Sequence, residues 1–194
     1  TLYNLDKNKE IVFKLAKILD TEETQLEAVN YYKEYIVEFD SKNENVINRL
    51  VEIYIKNSLF SEIDAVFGVI EDWNKYYHII YQIVNSVENV EIQKKYALKA
   101  ITIAETYLNN QEKLLNALTF YNDKWNDSYE ILEKLHYQYQ ILNNKDKIFA
   151  IIKQKLNLVT TQDDKINLYN ELTTLYIESN RYPEAFQNEK TKFY

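Results

Sequence analysis

The chain has 194 residues, of which 46% are hydrophobic and 27% are charged, so it is long and apolar enough to bury a core. Its formal net charge of −7 disfavours sequence-independent binding of nucleic acid, which depends on lysine and arginine at the phosphates. The lack of cysteine excludes disulfides, thiolate metal sites and thiol catalysis, and no apolar run approaches the roughly 18 residues of a membrane helix.

Glycine and proline occur once each, at Gly68 and Pro183. Sheets need these residues in their turns, and phosphate-binding loops need glycine because the backbone approaches the phosphate closely. Rossmann and P-loop enzymes are therefore excluded, and the composition predicts an all-α chain.

Apolar residues three and four apart predict four helices in the first 70 residues. The first runs from about 6 to 19 and the second ends near 39. The third follows a capping-box pattern from Ser41 to Glu44 and ends near 57. The fourth contains Gly68, which costs about 0.5–1 kcal/mol relative to alanine, so we expect it to allow close packing against a neighbouring backbone.

The same periodicity predicts helices at about 75–88, 91–108, 111–123, 127–143, 145–158 and 163–179, and a last one that begins near Pro183, which makes eleven. Thr161 and Asp164 frame the start of the helix at 163–179. The segment 127–143 has two interpretations. It closes a helix pair begun at Leu118, or it opens one at Leu135, because Tyr139 and Ile148 lie four and thirteen residues on. We favour the second.

Four helix pairs share one residue pattern, in which a leucine is followed at fixed distances by small side chains and by large apolar or aromatic ones. The leucines are Leu15, Leu50, Leu135 and Leu172, and the last is followed by Thr173, Tyr176, Tyr182 and Ala185. This pattern resembles the tetratricopeptide repeat, a helix–turn–helix unit of about 34 residues. The resemblance implies an all-α α-solenoid of antiparallel helix pairs, wound as a right-handed superhelix and forming a single repeat domain over residues 1–194.

The resemblance also implies a binding surface. In the family, the face of each first helix opposite the core lines a concave groove. In this sequence those positions are Asn45, Asn48, Glu52 and Ile55; Glu130, Glu133, Tyr137 and Gln140; and Asn167, Asn170, Thr174 and Ile177. We expect a peptide or partner protein to contact Asn45, Asn48, Glu52, Tyr137, Gln140, Asn167, Asn170 and Thr174. Side-chain amides both donate and accept hydrogen bonds, as a peptide backbone does. The alternative is a solvated face in a chain rich in asparagine.

No pattern of catalytic or metal-binding residues stands out. His78 and His136 belong to no metal-ligand spacing, and we assign them to packing or to the surface. Acidic clusters such as Asp163-Asp164 lie at helix starts, where the helix dipole favours them. We therefore predict no enzymatic activity, no cofactor and no metal.

The function expected from this sequence is a non-enzymatic scaffold that binds a protein or peptide, placed in the cytoplasm, with no nucleic-acid binding and no membrane insertion. Two alternatives are an intracellular receptor for a short signalling peptide and a dimerising adaptor segment of a multidomain regulator. Phe186, Phe193 and Tyr194 form an apolar end on the last helix. We therefore expect a fragment of a longer protein, which continues past this helix or forms a homodimer through it.

Overall fold

The computed structural model describes residues 8–192, which contain eleven α-helices and no strand. The helices are α1 (Lys9–Leu19), α2 (Gln25–Glu38), α3 (Glu44–Lys56), α4 (Phe60–Ile70), α5 (Trp73–Ser86), α6 (Val90–Thr102), α7 (Gln111–Trp125), α8 (Tyr129–Ile141), α9 (Lys145–Leu158), α10 (Gln162–Glu178) and α11 (Tyr182–Thr191). A π-helical segment, Ile103–Tyr107, extends α6. The predicted all-α class and number of helices are confirmed.

The chain divides into two compact units, Thr1–Lys99 and Ala100–Tyr194, and the division falls within α6. In the first unit each helix from α1 to α4 packs on the next, α2 also contacts α4, and α3 also contacts α5. In the second unit the π-helical segment and α7 to α11 pack in chain order. Because short connections join helices that pack on each other, neighbouring helices are antiparallel, as predicted. A single domain over residues 1–194 stays a prediction.

Asparagine begins many of these helices. The side-chain oxygens of Asn8, Asn43, Asn110 and Asn144 each accept a hydrogen bond from the backbone N–H three residues on. The predicted capping box from Ser41 to Glu44 is therefore wrong, because Asn43 is the cap of α3. Before α10 the prediction is confirmed, since the Asp164 backbone N–H donates to Thr161 Oγ1 at 3.2 Å.

Asparagine also ends helices. Six described residues other than glycine have positive φ, and four of them are Asn109, Asn126, Asn143 and Asn180. Asparagine tolerates the left-handed conformation that terminates a helix better than most residues with a side chain. In a chain with one glycine, part of the asparagine content thus has a structural cause.

The residues of the predicted repeat pattern form the core. Leu50, Tyr54, Ile63 and Phe67 are at most 1% exposed where α3 and α4 pack together. Leu135, Tyr139 and Ile148 are also buried, but so are Leu118 and Ile131, so a helix pair that opens at Leu135 stays a prediction. Ala28 and Ala185 are buried, but Tyr182 is 59% exposed. It is the first residue of α11, and its hydroxyl donates to Asn180 Oδ1 at 3.2 Å.

The prediction for Gly68 is wrong. A Cβ atom placed on Gly68 would have no neighbouring atom within 4 Å, and the residue is exposed near the end of α4. Its φ is not positive either. Neither close packing nor backbone conformation therefore requires glycine at this position.

Candidate binding groove in the second unit

The groove residues predicted in the first unit, Asn45, Asn48 and Glu52, lie on α3 and are all exposed. Glu52 has an intramolecular partner, because Arg49 Nη1 donates to its Oε2 at 2.9 Å. Arg49 also binds Asp20, so this guanidinium is already used within the fold. Asn45 and Asn48 are exposed, and their contact with a ligand stays a prediction.

In the second unit, a groove runs between α8 and α10 and has α9 at its base. It consists of two adjoining depressions of about 440 and about 340 Å³, which share His136, Gln140 and Glu171 in their walls. Binding pockets of this order hold a drug-sized ligand or a few side chains of a peptide. We call this feature the α8–α10 groove.

Four of the predicted residues line the α8–α10 groove. Tyr137, Gln140 and Asn167 border the larger depression, and Gln140 and Thr174 border the smaller one. Tyr137 is 62% exposed, so its ring is available for contact. The fifth predicted residue of this unit, Asn170, is exposed, but its Oδ1 accepts a hydrogen bond from Lys192 Nζ.

The base of the groove contains a polar network that sequence reasoning missed. Lys155 of α9 is only 2% exposed, and its Nζ lies 2.5 Å from Glu133 Oε1. The same Nζ lies 2.8 Å from His136 Nδ1. Glu133 and His136 are three residues apart on α8 and therefore share a face. A buried ammonium group needs such partners, because the cost of removing it from water is otherwise large.

Lys155 fixes the tautomer of His136. The ammonium group of Lys155 donates to Nδ1, so the proton of the neutral imidazole is on Nε2. Burial, and then the charge of Lys155, lower the pKa of His136 and favour this neutral form. Nε2 lies 3.2 Å from Glu171 Oε1 of α10 but makes no aligned hydrogen bond. The two groups are therefore close to each other without being hydrogen-bonded.

The two glutamates differ in their electrostatic surroundings. Burial would raise the pKa of Glu133, but the hydrogen bond and charge of Lys155 outweigh it and leave the pKa below its ordinary value. Burial raises the pKa of Glu171, and the charge of Lys155 opposes this only in part. Lys155 thus stabilises the ionised form of Glu133, whereas the ionised form of Glu171 is poorly stabilised.

One feature of the sequence indicates that a charged residue of this network is buried. Ile148, Ile152 and Lys155 follow helical spacing along α9, so the lysine lies on the apolar face of its helix. A charged residue at such a position is rarely fully buried unless it is paired. His136, assigned from sequence to packing or the surface, is buried at 6% exposure as part of the network.

Two further properties concern the described residues as a whole. Within residues 8–192, no group of three or more histidine and acidic side chains is placed to hold a metal ion. No helix in that range has the length and apolar character needed to cross a membrane. The predicted apolar C-terminal end is described only at Phe186, which is 64% exposed, because Phe193 and Tyr194 lie outside the described residues.

No protein-family model matches this sequence, and no curated protein shows significant similarity to it. Among solved structures, the MamA protein is 14% identical, with 95% of this chain and 89% of that chain covered and a TM-score of 0.37. MamA from Desulfovibrio magneticus RS-1 is 10% identical, with 97% and 95% covered and a TM-score of 0.36. TTC0263, a thermophilic TPR protein in Thermus thermophilus, is 16% identical, with 95% and 90% covered and a TM-score of 0.30.

These TM-scores are too low to support any conclusion about function. The classification of the fold as all-α rests instead on the chain itself, where antiparallel helix pairs bury Leu50, Leu135 and Leu172 of the repeat pattern, whereas Leu15 is half-buried and Tyr182 is exposed. The described helices therefore form the all-α arrangement of antiparallel pairs that the sequence predicted.

Proposed function

We propose that this chain is a non-enzymatic interaction scaffold that holds an extended segment of a partner protein in the α8–α10 groove. The observation that carries the proposal is the position of Tyr137, Gln140 and Asn167 around one depression. The two amides offer donors and acceptors to a peptide backbone, and the tyrosine offers a rigid contact surface.

Selection from a random-peptide display library tests this proposal. Selected peptides would be labelled with fluorescein, and their affinity measured by fluorescence anisotropy. Tyr137→Ala should weaken binding at least about tenfold, because aromatic anchors at an interface centre dominate its binding energy. Tyr182→Ala is the matched control, since Tyr182 is similarly exposed in the same unit but lines neither depression.

The amides provide a second pair of variants. Asn167→Ala should weaken binding by about threefold to tenfold, the effect of one lost hydrogen bond. Asn157→Ala, at an exposed position of α9 outside the groove, should leave it unchanged. Failure to select any peptide, or equal affinity of Tyr137→Ala and Tyr182→Ala, would contradict the proposal.

Two narrower functions also stay proposals. A receptor for a short signalling peptide would retain one peptide sequence in the groove with much higher affinity than its scrambled form. A dimerising adaptor would show a sedimentation coefficient that rises with protein concentration and does not respond to Tyr137→Ala. The net charge of −7 and the lack of cysteine support the proposals of no nucleic-acid binding and a cytoplasmic location, respectively.

A further inference from the structure

The acidic side chains in the walls of the α8–α10 groove outnumber the lysines. Glu133 is paired with Lys155 at 2.5 Å, and Glu178 is paired with Lys145 at 3.5 Å. The acidic residues that remain in the walls are Asp164 and Glu171. The groove therefore has an excess of negative charge once its internal ion pairs are counted.

The carboxylate of Asp164 is stabilised by groups at the start of its own helix, α10. Its Oδ2 accepts a hydrogen bond from the Thr161 hydroxyl at 2.5 Å, and it lies in the first turn of α10, where the helix dipole stabilises a carboxylate. Glu171 lies in the middle of α10, without this help. Among the described residues, the basic side chain nearest to its carboxylate is His136, 3.2 Å away, which is neutral and makes no aligned hydrogen bond to it.

Glu171 is accessible from the groove. It lies in the walls of both depressions, and its side chain is 39% exposed. Beside it, His136 is more than nine-tenths buried, and its Nε2, 3.2 Å from Glu171 Oε1, has no hydrogen-bond partner among the described residues. The acidic group thus adjoins a built polar base, in which one hydrogen-bonding atom has no partner.

We propose that Glu171 receives a basic side chain, an arginine or a lysine, from the segment that occupies the α8–α10 groove. The inference rests on the proposed function and specifies which residue of the partner the groove selects. A guanidinium or ammonium group would supply the cation that the carboxylate lacks, and a guanidinium matches a carboxylate in shape. Tyr137 lies in the wall of the same larger depression, and an aromatic ring attracts a cation that contacts its face.

The test uses pools of acetylated, amidated and fluorescein-labelled peptides that are randomised except at the central residue. That residue is arginine, lysine, glutamate or citrulline, which has the shape of arginine without its charge. We expect the arginine pool to bind at least about tenfold more tightly than the citrulline pool, as for a charge-assisted hydrogen bond in a partly buried site. The lysine pool should also bind more tightly than the citrulline pool, and the glutamate pool should be weakest.

Glu171→Gln should remove the difference between arginine and citrulline, whereas Glu130→Gln should keep it. The sequence placed Glu130 on the groove face, but in the structure it is an exposed residue of α8 that lines neither depression. The two variants change the net charge equally. Because Glu171→Gln alters packing little, the thermal midpoints of both variants serve to check the fold. In the wild-type chain, carbon-13 NMR should show the pKa of the Glu171 carboxyl group falling as acetyl-arginine amide is added, because a bound cation favours the ionised form.

The outcomes separate the two proposals. Equal binding of the arginine and citrulline pools, with loss of both in Tyr137→Ala, would refute the basic-residue inference and leave the groove proposal standing. If no pool binds, both fail. An equal loss of arginine preference in Glu130→Gln would attribute the effect to overall charge and would also overturn the inference, and so would preference for the glutamate pool.

Discussion

Arg49 of α3 donates two hydrogen bonds to the carboxylate of Asp20, which directly follows α1. The Nε–Oδ2 distance is 2.8 Å and the Nη2–Oδ1 distance is 2.7 Å. The hydroxyl of Tyr32 from α2 donates to the same carboxylate at 2.9 Å. One aspartate therefore joins three helices of the first unit. Burial and this hydrogen bond raise the pKa of Tyr32 to about 12.

We expect Asp20→Asn to lower the free energy of unfolding by about 1–2 kcal/mol, toward the lower end for charged hydrogen bonds because the Arg49 side chain is 41% exposed. Urea denaturation at neutral pH measures this difference. Glu22→Gln is the control, since the Glu22 side chain is 94% exposed and its carboxylate is 3.9 Å from Lys56. A loss in the control equal to that in Asp20→Asn would assign the effect to net charge.

The contribution of Asp20 should depend on pH. The hydrogen bond from Arg49 lowers the pKa of Asp20 in the folded chain, although burial opposes it. The stabilisation is therefore complete above the unfolded pKa of about 3.9 and is lost as the pH falls through the lower, folded value. The difference between wild type and Asp20→Asn should stay constant from about pH 7 to about pH 5 and shrink below about pH 4.

Two buried tyrosines should respond in opposite directions to the loss of their hydroxyls. Tyr54 is 1% exposed, and its hydroxyl has no hydrogen-bond partner among the described residues. Tyr76 is 2% exposed and donates to Asp64. Burial is the main cause of the raised pKa of both phenols. We expect Tyr54→Phe to leave stability unchanged or to raise it by up to about 1 kcal/mol, and Tyr76→Phe to lower it by about 1 kcal/mol.

Thermal and urea denaturation of the two variants provide the measurement. The Phe67 ring, stacked on Tyr76 at 4.7 Å between ring centres, would still contact a phenylalanine, so the comparison isolates the hydroxyl. A clear destabilisation by Tyr54→Phe would mean that its hydroxyl has a partner after all.

Gly68→Ala should stabilise the chain by about 0.5–1 kcal/mol. The new methyl group would enter open space, and alanine has the higher helix propensity. The reverse substitution at a neighbouring exposed position of α4, Ala65→Gly, should destabilise by a similar amount. A loss of stability in Gly68→Ala would instead support the close packing of Gly68 that was predicted from the sequence.

Ala28→Trp and Ala185→Trp should each destabilise by at least about 1–3 kcal/mol, because a large ring cannot enter a packed helix contact without strain. The loss should be larger for Ala28, which is 0% exposed, than for Ala185, whose helix α11 packs only on α10 among the described helices. Ala150→Trp, at an exposed position of α9, is the control and should change the unfolding midpoint little. Neutral effects at Ala28 and Ala185 would refute the repeat register.

Local residue patterns were sufficient to predict the helices and most of the residues on their buried faces. Helical periodicity is local, so the spacing of Leu50, Tyr54 and Ile63 was enough to predict core positions. The helix predicted at 145–158 agrees with α9 at both ends. Caps were harder to assign, since Ser41 and Asn43 are both good caps and the backbone conformation at Asn43 decides between them.

Which polar side chains contact each other depends on how the helices pack. Lys155, His136 and Glu171 come from three different helices, and no local spacing relates them. The open space around Gly68 likewise depends on how the neighbouring helices pack. The exposed groove residues Tyr137 and Asn167 followed from helical phase, but the network beneath them arises where α8, α9 and α10 pack together. Desolvation and charge in that contact depend on distances across the fold, which a one-dimensional pattern does not contain.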